Sequence, residues 1–502
     1  MKKILLIFLL NTSMIFSQNI HVPIDTIVKT NHETIIKGEK IKYTAETGMQ
    51  PVWDKDGNPI ASLFYTYYKR NFSKDLDKKE SHRPIIISFN GGPGSGSLWM
   101  HIGYTGPRVL KIDDEGFPIQ PYGMKTNPYS ILDTADIVFV CPVNTGYSRM
   151  IPDKNGDLPD RKKFFGINAD IKYLATWINT FITRKNRWES PKYIIGESYG
   201  GTRVMGLSHE LQNSQWMYLN GVILVSPADY KLLEFDDGQE DAIDSSLHLP
   251  YYAATAWYHK MLDKEIQSID LLEFLPKVEE FTINELIPAI AKGGFISDIE
   301  RNEIAEKYSY YSGLDKDFII DYNLDIPNYA FWKELLRKRD GLTIGRLDSR
   351  YRGIDRTNAG SRPDTNIELN SWNHSFTPAI NYYFKNELNF ETDIKYNVFG
   401  PVHPWDREND NTRENLRKAM AQNPFLKVFI QSGYYDGATN YFQAKYTMWQ
   451  VDPSGKMKDR FYFEGYRSGH MMYLRAEDLK KSNDDLREFI KNSSTNGMPA
   501  KY

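Results

Sequence analysis

Cysteine is nearly absent from this chain of 502 residues, which contains a single one, Cys141. Intramolecular disulfides are therefore excluded, and the fold has to be stabilised by the size of its hydrophobic core instead of by crosslinks. Cys141 follows a short apolar segment, and no histidine comes after it in a catalytic context. We predict that it is a core residue and not a nucleophile, because free cysteine is usually buried.

A charge imbalance is lacking too, since 62 basic residues face 65 acidic ones and the formal net charge is −3. No block of Lys and Arg interleaved with aromatic residues is present, so nucleic acid and anionic membrane surfaces are not expected as partners. The ten histidines show neither HExxH nor another paired ligand spacing. No metal and no cofactor is expected, and isolated histidines such as His209 and His248 are predicted to be structural.

The apolar run at the N-terminus is too short to span a bilayer. Lys2 and Lys3 precede the apolar segment Ile4–Leu10, and Ser17 offers a cleavage point, which is typical of an export signal. We expect a signal peptide over residues 1–17 and a mature protein that is periplasmic or secreted, without stable membrane insertion. Export without disulfides indicates a bacterial protein.

What the sequence does contain is an apolar strand that runs into a GxSxG motif. Residues 193–201 read YIIGESYGG, with Ser198 as the serine of the motif and a helix-like sequence after it. This is the form of a nucleophile elbow, a sharp strand-to-helix turn that exposes the serine hydroxyl and needs glycine on either side. Ser198 is the predicted nucleophile, and the alternative is an ordinary Gly-Ser turn.

A base and an acid for that serine follow further along the chain. Residues 427–431 form a predicted strand whose following loop contains Asp436, and His470 comes after Gly469 and another short apolar segment. The chain order Ser198, Asp436, His470 is the order of the catalytic triad in α/β-hydrolases. We therefore predict that His470 accepts the serine proton and that Asp436 orients the imidazole.

Donors for an oxyanion are predicted from a glycine-rich loop upstream. An apolar strand at residues 85–89 leads into NGGPGSG at residues 90–96. Glycines allow backbone N–H groups to approach a substrate oxygen closely. No Lys-Ser/Thr pair follows at the spacing of a phosphate-binding loop. Because the loop precedes the GxSxG motif, we assign the N–H groups of Gly92 and Tyr199 to the oxyanion hole.

Together these motifs resemble those of the serine carboxypeptidase family. The resemblance rests on residues 90–94, residues 196–201, the Asp436 loop, residues 469–471, the NPYS segment at 127–130 and the stretch from 135 to 148. It covers most of the chain and is weakest between residues 230 and 400.

The resemblance implies an exopeptidase that binds the free C-terminal carboxylate of a peptide. In the family this group is bound by the loop asparagine, by the glycine after it and by the glutamate before the nucleophile, which here are Asn90, Gly91 and Glu197. A glutamic acid donates a hydrogen bond to a carboxylate only when it is protonated, so binding should weaken as the pH rises.

This chain departs from the family pattern at several positions. Ser88 stands where better-known members have an aromatic residue, and Tyr473 stands where many have proline. The acidic partner of the glutamate before the nucleophile is replaced by Tyr104, whose phenol can still hydrogen-bond Glu197. Losing a second carboxyl group removes the like-charge coupling that would hold a proton on the pair.

The order of predicted elements indicates the α/β class. Alternating segments at residues 26–36, 40–46 and 60–68 predict antiparallel edge strands. From Pro84 onward, short apolar strands alternate with helical stretches, which predicts a mostly parallel sheet with helices on both faces.

The predicted domain organisation follows from a change in the pattern of predicted strands and helices along the chain. Residues 231–400 contain aromatic helical segments and no convincing series of strands, which predicts a largely helical cap over the active site. The α/β-hydrolase core is then expected in two parts, residues 18–230 and residues 401–502.

The expected function is hydrolysis of C-terminal peptide bonds through an acyl-enzyme, with peptides that carry a free C-terminus as partners. Two alternatives stay open. An esterase or acyltransferase of the same fold is one, because a triad does not choose between amide, ester and transfer chemistry. A catalytically inactive, exported binding protein is the other.

Overall fold

A computed structural model describes residues 22–72, 82–228, 242–408, 411–495, 497, 499 and 501–502 of the protein. The predicted signal peptide at residues 1–17 lies outside these residues, and so does the predicted boundary between residues 230 and 231. Both stay predictions.

The strands come mainly from the two ends of the chain. In the described residues they are β1 (Thr26–Ile36), β2 (Glu39–Trp53), β3 (Pro59–Arg70), β4 (Ile85–Phe89), β5 (Arg108–Leu110), β6 (Met124–Thr126), β7 (Asp136–Val140), β8 (Arg149–Met150), β9 (Lys192–Glu197), β10 (Gly221–Val225), β11 (Thr343–Ile344), β12 (Arg352–Gly353), β13 (Lys427–Gly433) and β14 (Phe461–Tyr466).

One ten-stranded sheet dominates the fold, in the order β1-β2-β3-β7-β4-β9-β10-β13-β14, with β8 paired to β3. From β7 to β14 every neighbouring pair is parallel. The pairs at the N-terminal edge are antiparallel. The predicted mostly parallel sheet with an antiparallel N-terminal edge is confirmed. Because parallel strands end on the same side, the loops after β4, β9, β13 and β14 meet at one edge of the sheet.

Helices follow the alternating pattern of the sequence and predominate in the described residues between β10 and β13. They are α1 (Leu98–Met100), α2 (Ile167–Arg184), α3 (Tyr199–Ser214), α4 (Ala242–Ser246), α5 (Leu249–Tyr258), α6 (Lys264–Gln267), α7 (Leu271–Phe281), α8 (Ile287–Ile290), α9 (Asp298–Ser312), α10 (Lys316–Asp321), α11 (Asn328–Glu334), α12 (Arg337–Asp340), α13 (Ile367–Asn386), α14 (Thr412–Gln422), α15 (Tyr441–Val451) and α16 (Ala476–Ser493). Within the described ranges, none of these helices combines the length and the apolar character needed to cross a membrane.

Both faces of the sheet are covered, as predicted. Helices α2, α3, α14 and α15 bury one face, where Trp177 packs in the same cluster as Ile87 of β4. Helices α13 and α16 bury the other face, where Trp372 and Phe489 join Ile86. Strands β4, β9 and β10 are buried along their whole length, as expected for strands covered on two sides.

Cys141 lies in the second of these clusters and is buried. Its sulfur accepts a hydrogen bond from the Ser97 N–H at 3.4 Å. Burial raises the pKa of the thiol to about 11, so the nucleophilic thiolate is scarce at neutral pH.

The segment between β10 and β13 forms a largely helical insertion with a hydrophobic cluster of its own, which contains Tyr252, Phe274 and Phe331. Within it, helix α7 continues through a π-helical turn at Thr282–Leu286 into helix α8. Helix α13 falls in the range predicted for the cap, yet it packs in the cluster on the sheet. The limits 231–400 of the cap stay a prediction.

Candidate active site

Ser198 forms the turn between β9 and α3. Its backbone has φ 59° and ψ −126°, a conformation that residues other than glycine rarely adopt and that costs about 1–3 kcal/mol. Its N–H donates to the carbonyl of Val225 at 3.0 Å, and its own carbonyl accepts from the N–H groups of Gly201 at 2.8 Å and Ala228 at 3.0 Å. The packed end of β10 thus holds the strained turn in place.

The glycines around Ser198 are required by close contacts. A Cβ on Gly196 would lie 1.9 Å from the carbonyl oxygen of Gly200. A Cβ on Gly201 would lie 2.8 Å from Cβ of Pro227. Neither position has room for a side chain, which accounts for the GxSxGG spacing in the sequence.

The glycine-rich loop after β4 lies against this turn, because β4 is the parallel neighbour of β9. A Cβ on Gly91 would be 2.6 Å from the backbone nitrogen of Tyr199 and 2.9 Å from Cβ of Ser198. Gly92 has φ +108°, and the Ser95 N–H donates to the carbonyl of Gly91 at 3.0 Å. The backbones of Gly91 and Tyr199, which come from distant parts of the sequence, therefore meet beside Ser198.

Asp436 and His470 are hydrogen-bonded to each other. His470 Nδ1 lies 2.7 Å from Asp436 Oδ2, and both side chains are buried. The other carboxylate oxygen of Asp436 accepts from the N–H groups of Ala438 at 2.8 Å and Thr439 at 3.1 Å. These donors, together with the Thr439 hydroxyl 2.7 Å from Oδ2, fix the orientation of the carboxylate.

The environment of His470 favours its protonated form. Burial lowers the pKa of the imidazole, but the charge of Asp436 and the hydrogen bond to it outweigh burial, and the pKa lies above its ordinary value. The charge of Glu197 acts in the same direction. A histidine with this environment is suited to accept a proton.

The end of β10 connects these groups to the serine. Val225 accepts the Ser198 N–H, and the next residue, Ser226, donates from its hydroxyl to the carbonyl of His470 at 2.8 Å. The carbonyl of Ser226 lies 2.9 Å from the Thr439 hydroxyl. The serine turn, the histidine loop and the aspartate loop therefore share one anchoring point.

A segment of the insertion also contacts both loops, a feature that the sequence did not indicate. The carbonyl of Arg346 accepts from the Gly437 N–H at 3.0 Å, and the carbonyl of Leu347 accepts from the His470 N–H at 2.6 Å. The N–H of Leu347 in turn donates to the buried carboxyl of Glu368 at 2.6 Å.

Glu197, the last residue of β9, is buried beside these groups. Its Oε2 accepts a hydrogen bond from Asn90 Nδ2, and its Oε1 accepts from the Tyr473 hydroxyl at 2.6 Å. Burial raises the pKa of Glu197 to about 7, although the charge of His470 and the bonds from Tyr473 and Asn90 oppose the shift. Near neutral pH, Glu197 is therefore protonated in about half of the molecules.

The expectation for Tyr104 needs a correction. Its hydroxyl donates to Gln431 Oε1 at 2.8 Å, with the carbonyl of Ser482 3.2 Å away, and not to Glu197. The ring of Tyr104 stacks on the ring of Tyr473, with centroids 4.9 Å apart and 7° between the planes. Tyr473 is the member of this pair that reaches Glu197.

The family model described as serine carboxypeptidase matches residues 39–464. This chain belongs to the serine carboxypeptidase family.

Several family members in Arabidopsis thaliana are similar to part of the chain. Serine carboxypeptidase-like 9 is 27% identical over 207 residues, which is 39% of this chain and 42% of that protein. Serine carboxypeptidase-like 36 is 29% identical over 185 residues, which is 36% of this chain and 35% of that protein. The aligned part thus spans less than half the length of these relatives.

A solved carboxypeptidase structure has a similar fold. The crystal structure of Kex1, a prohormone-processing carboxypeptidase from Saccharomyces cerevisiae, has a TM-score of 0.53 and 14% sequence identity. The match covers 91% of this chain and 93% of that one. The predicted α/β-hydrolase fold with a helical insertion is confirmed.

Proposed function

We propose that this serine carboxypeptidase family member hydrolyses the C-terminal peptide bond of peptides. The observation that carries the proposal is the carboxyl group of Glu197, which is buried next to Ser198 and hydrogen-bonded by Asn90. With a pKa of about 7 it is protonated below neutral pH, and a protonated carboxyl group can donate a hydrogen bond to a carboxylate. A hydrolase for internal peptide bonds or simple esters has no need of such a donor.

The substrate's terminal carboxylate would be bound by Glu197, by the side-chain amide of Asn90 and by the N–H of Gly91. The Asn90 amide is held in place, because its Oδ1 accepts from the Met100 N–H at 3.1 Å while its Nδ2 faces Glu197. Gly91 lies against the Ser198 turn. A carboxylate held by these donors leaves the last peptide bond within reach of Ser198, which restricts cleavage to the chain end.

In the reaction that we propose, Ser198 Oγ attacks the last peptide carbonyl while His470 Nε2 takes its proton. The N–H groups of Gly92 and Tyr199 stabilise the oxyanion, at about 3 kcal/mol per donor in comparable sites. The imidazolium then protonates the leaving amine, and the C–N bond breaks to release the terminal amino acid. Water hydrolyses the remaining acyl ester by the same proton path, and Asp436 keeps the imidazole in one tautomer throughout.

The proposal includes export of the protein. Removal of residues 1–17 would leave a mature chain that begins at Gln18 and acts in the periplasm or outside the cell. N-terminal sequencing of the protein from periplasmic and culture fractions tests this. Recovery of the uncut chain in the membrane fraction would contradict it.

Mass spectrometry of a defined peptide pool tests the activity directly. We expect loss of single residues from free C-termini, no loss from the same peptides blocked as C-terminal amides, and no turnover by Ser198→Ala. An organophosphonate should label Ser198 in the wild-type protein.

The two alternatives give other results. Turnover that is equal for free and amidated peptides, or confined to esters, favours an esterase or acyltransferase. Absence of labelling at Ser198, with a Ser198→Ala variant that behaves as wild type, favours a binding protein without catalysis.

A further inference from the structure

Behind the glycine-rich loop lies a buried ion pair that takes no part in the reaction above. Arg203 of α3 and Asp170 of α2 are both fully buried, and Arg203 Nε donates to Asp170 Oδ2 at 2.6 Å. Because of its desolvation penalty, a buried ion pair is weak evidence for a stabilising role. The other contacts of the guanidinium are therefore the informative ones.

The remaining guanidinium nitrogens hold the loop. Arg203 Nη1 donates to the carbonyl of Asn90 at 2.6 Å, and Nη2 donates to the carbonyl of Pro93 at 3.3 Å. The planar, forked guanidinium serves Asp170 and both carbonyls at once, which the single ammonium of lysine does not reproduce. Arg203 thus fastens the two ends of the segment 90–93 to α3.

These bonds determine where the N–H of Gly91 points. The peptide bond between Asn90 and Gly91 is trans, so its N–H points opposite to its C=O. Since the Asn90 carbonyl faces Arg203, the Gly91 N–H faces away from it. A Cβ on Gly91 would lie 2.9 Å from Cβ of Ser198, so the residue that carries this N–H borders the serine turn.

The same pair supports the first residue of α3. The guanidinium carbon of Arg203 lies 5.0 Å from the ring centroid of Tyr199, and the Tyr199 hydroxyl lies 3.5 Å from Asp170 Oδ2. The second oxygen of Asp170 accepts from the Tyr173 hydroxyl at 2.9 Å. One buried network therefore contacts the backbone of the glycine-rich loop and the side chain of Tyr199, the residue after Ser198.

We propose that Arg203 is a positioning residue that orients the Gly91 N–H toward the terminal carboxylate of the substrate, with Asp170 holding the guanidinium. The inference rests on the proposed carboxypeptidase function and adds a determinant of its C-terminal specificity. It predicts that loss of the guanidinium weakens recognition of the carboxylate more than it weakens the reactivity of Ser198.

The test compares two competitive inhibitors, a dipeptide analogue with a reduced peptide bond and a free carboxylate, and the same analogue as its carboxamide. The ratio of their inhibition constants measures carboxylate recognition alone. The variants are Arg203→Lys and the double variant Asp170→Asn with Arg203→Met, which removes the pair without leaving an unpaired buried charge. Thermal melts report folding, and the rate of Ser198 labelling by a phosphonate without a carboxylate reports the serine turn.

We expect the double variant to lose about tenfold of the wild-type preference for the carboxylate, the equivalent of one hydrogen bond to a charged group, and Arg203→Lys to retain part of it. Labelling of Ser198 should change less than this ratio. An unchanged ratio in either folded variant, or equal losses in ratio and labelling, would overturn the inference. If the double variant does not fold, Arg203→Lys decides. A wild-type protein without any preference would instead refute the proposed function itself.

Discussion

The hydroxyl of Tyr473 donates a hydrogen bond of 2.6 Å to Oε1 of Glu197. Tyr473 lies three residues after His470, so one short turn carries both the proposed base and a donor to the proposed carboxylate-binding acid. A donor stabilises the charged form of a carboxyl group and therefore opposes the burial that raises the pKa of Glu197 to about 7. The balance between these two effects places the titration of Glu197 near neutral pH.

The first prediction concerns the pH dependence of substrate binding. Glu197 is neutral below about pH 7, and above it the group becomes a carboxylate that repels the carboxylate of the substrate. KM for a peptide with a free C-terminus should therefore rise by about tenfold per pH unit on the alkaline side. At lower pH the raised pKa of His470 means that the base becomes protonated and kcat falls.

Steady-state kinetics across the neutral pH range would measure both the rise of KM at alkaline pH and the fall of kcat at acidic pH. Because the charges of Glu197 and His470 interact, the apparent pKa values belong to the pair. A KM that stays constant on both sides of neutral pH would contradict the assigned role of Glu197.

The second prediction concerns Tyr473→Phe. Loss of the phenol removes a donor that stabilises the charged carboxylate, so the pKa of Glu197 should rise further and the alkaline limb of kcat/KM should move to higher pH. Tyr104→Phe is the matched control, because the Tyr104 hydroxyl donates to Gln431 and not to Glu197. A shift of the limb in both variants, or in neither, would show that the bond to Glu197 is not responsible.

The third prediction concerns Thr439→Val, which keeps the shape of the side chain and removes its hydroxyl. That hydroxyl lies 2.7 Å from Oδ2 of Asp436, the oxygen that also holds His470. We expect kcat to fall about tenfold with KM nearly unchanged, because the aspartate then holds the imidazole less firmly.

Thr447→Val is the control for this change, since Thr447 is a buried threonine of α15 whose hydroxyl has no hydrogen-bond partner among the described residues. It should leave kcat unchanged. Equal kinetics for the two valine variants would show that the Thr439 hydroxyl does not contribute to the activity.

The fourth prediction concerns Gly91→Ala. The added Cβ would lie 2.6 Å from the backbone nitrogen of Tyr199, so the loop or the serine turn has to shift. We expect kcat/KM to fall by about 100-fold or more, the usual consequence of displacing an oxyanion donor. Gly123→Ala is the control, because its Cβ would have no atom within 4 Å. Full activity of Gly91→Ala would mean that activity does not require the close contact between Gly91 and the backbone of Tyr199.

Local sequence signals predict the parts of the candidate site that depend on the backbone. The strand before Ser198, the glycines around it and the strand before Asp436 each predict a turn at a strand end, and parallel strands bring such turns together. Thr439 could also have been found, since a threonine three residues after an aspartate often hydrogen-bonds within the same turn.

The partner of Glu197 could not be predicted in the same way. Tyr104 and Tyr473 stack face to face, so two phenols lie in the same region, and only the packing of the folded chain decides which of them reaches the carboxyl group. Arg203 was equally hidden, because its acceptors on the loop are backbone carbonyls, which have no signature in the sequence. Contacts of this kind depend on tertiary structure alone.

The hydrogen bond from the His470 N–H to the carbonyl of Leu347 has a consequence for how the site can open. If the helical insertion swung away as a rigid lid, it would withdraw the acceptor of the histidine's own amide and loosen the base at each opening. In the reaction that we propose, a peptide would then reach Ser198 through movements of individual side chains or short loops and not by displacement of the whole insertion. For the same reason, trimming the protein to its sheet and flanking helices would leave the His470 N–H without its acceptor on Leu347.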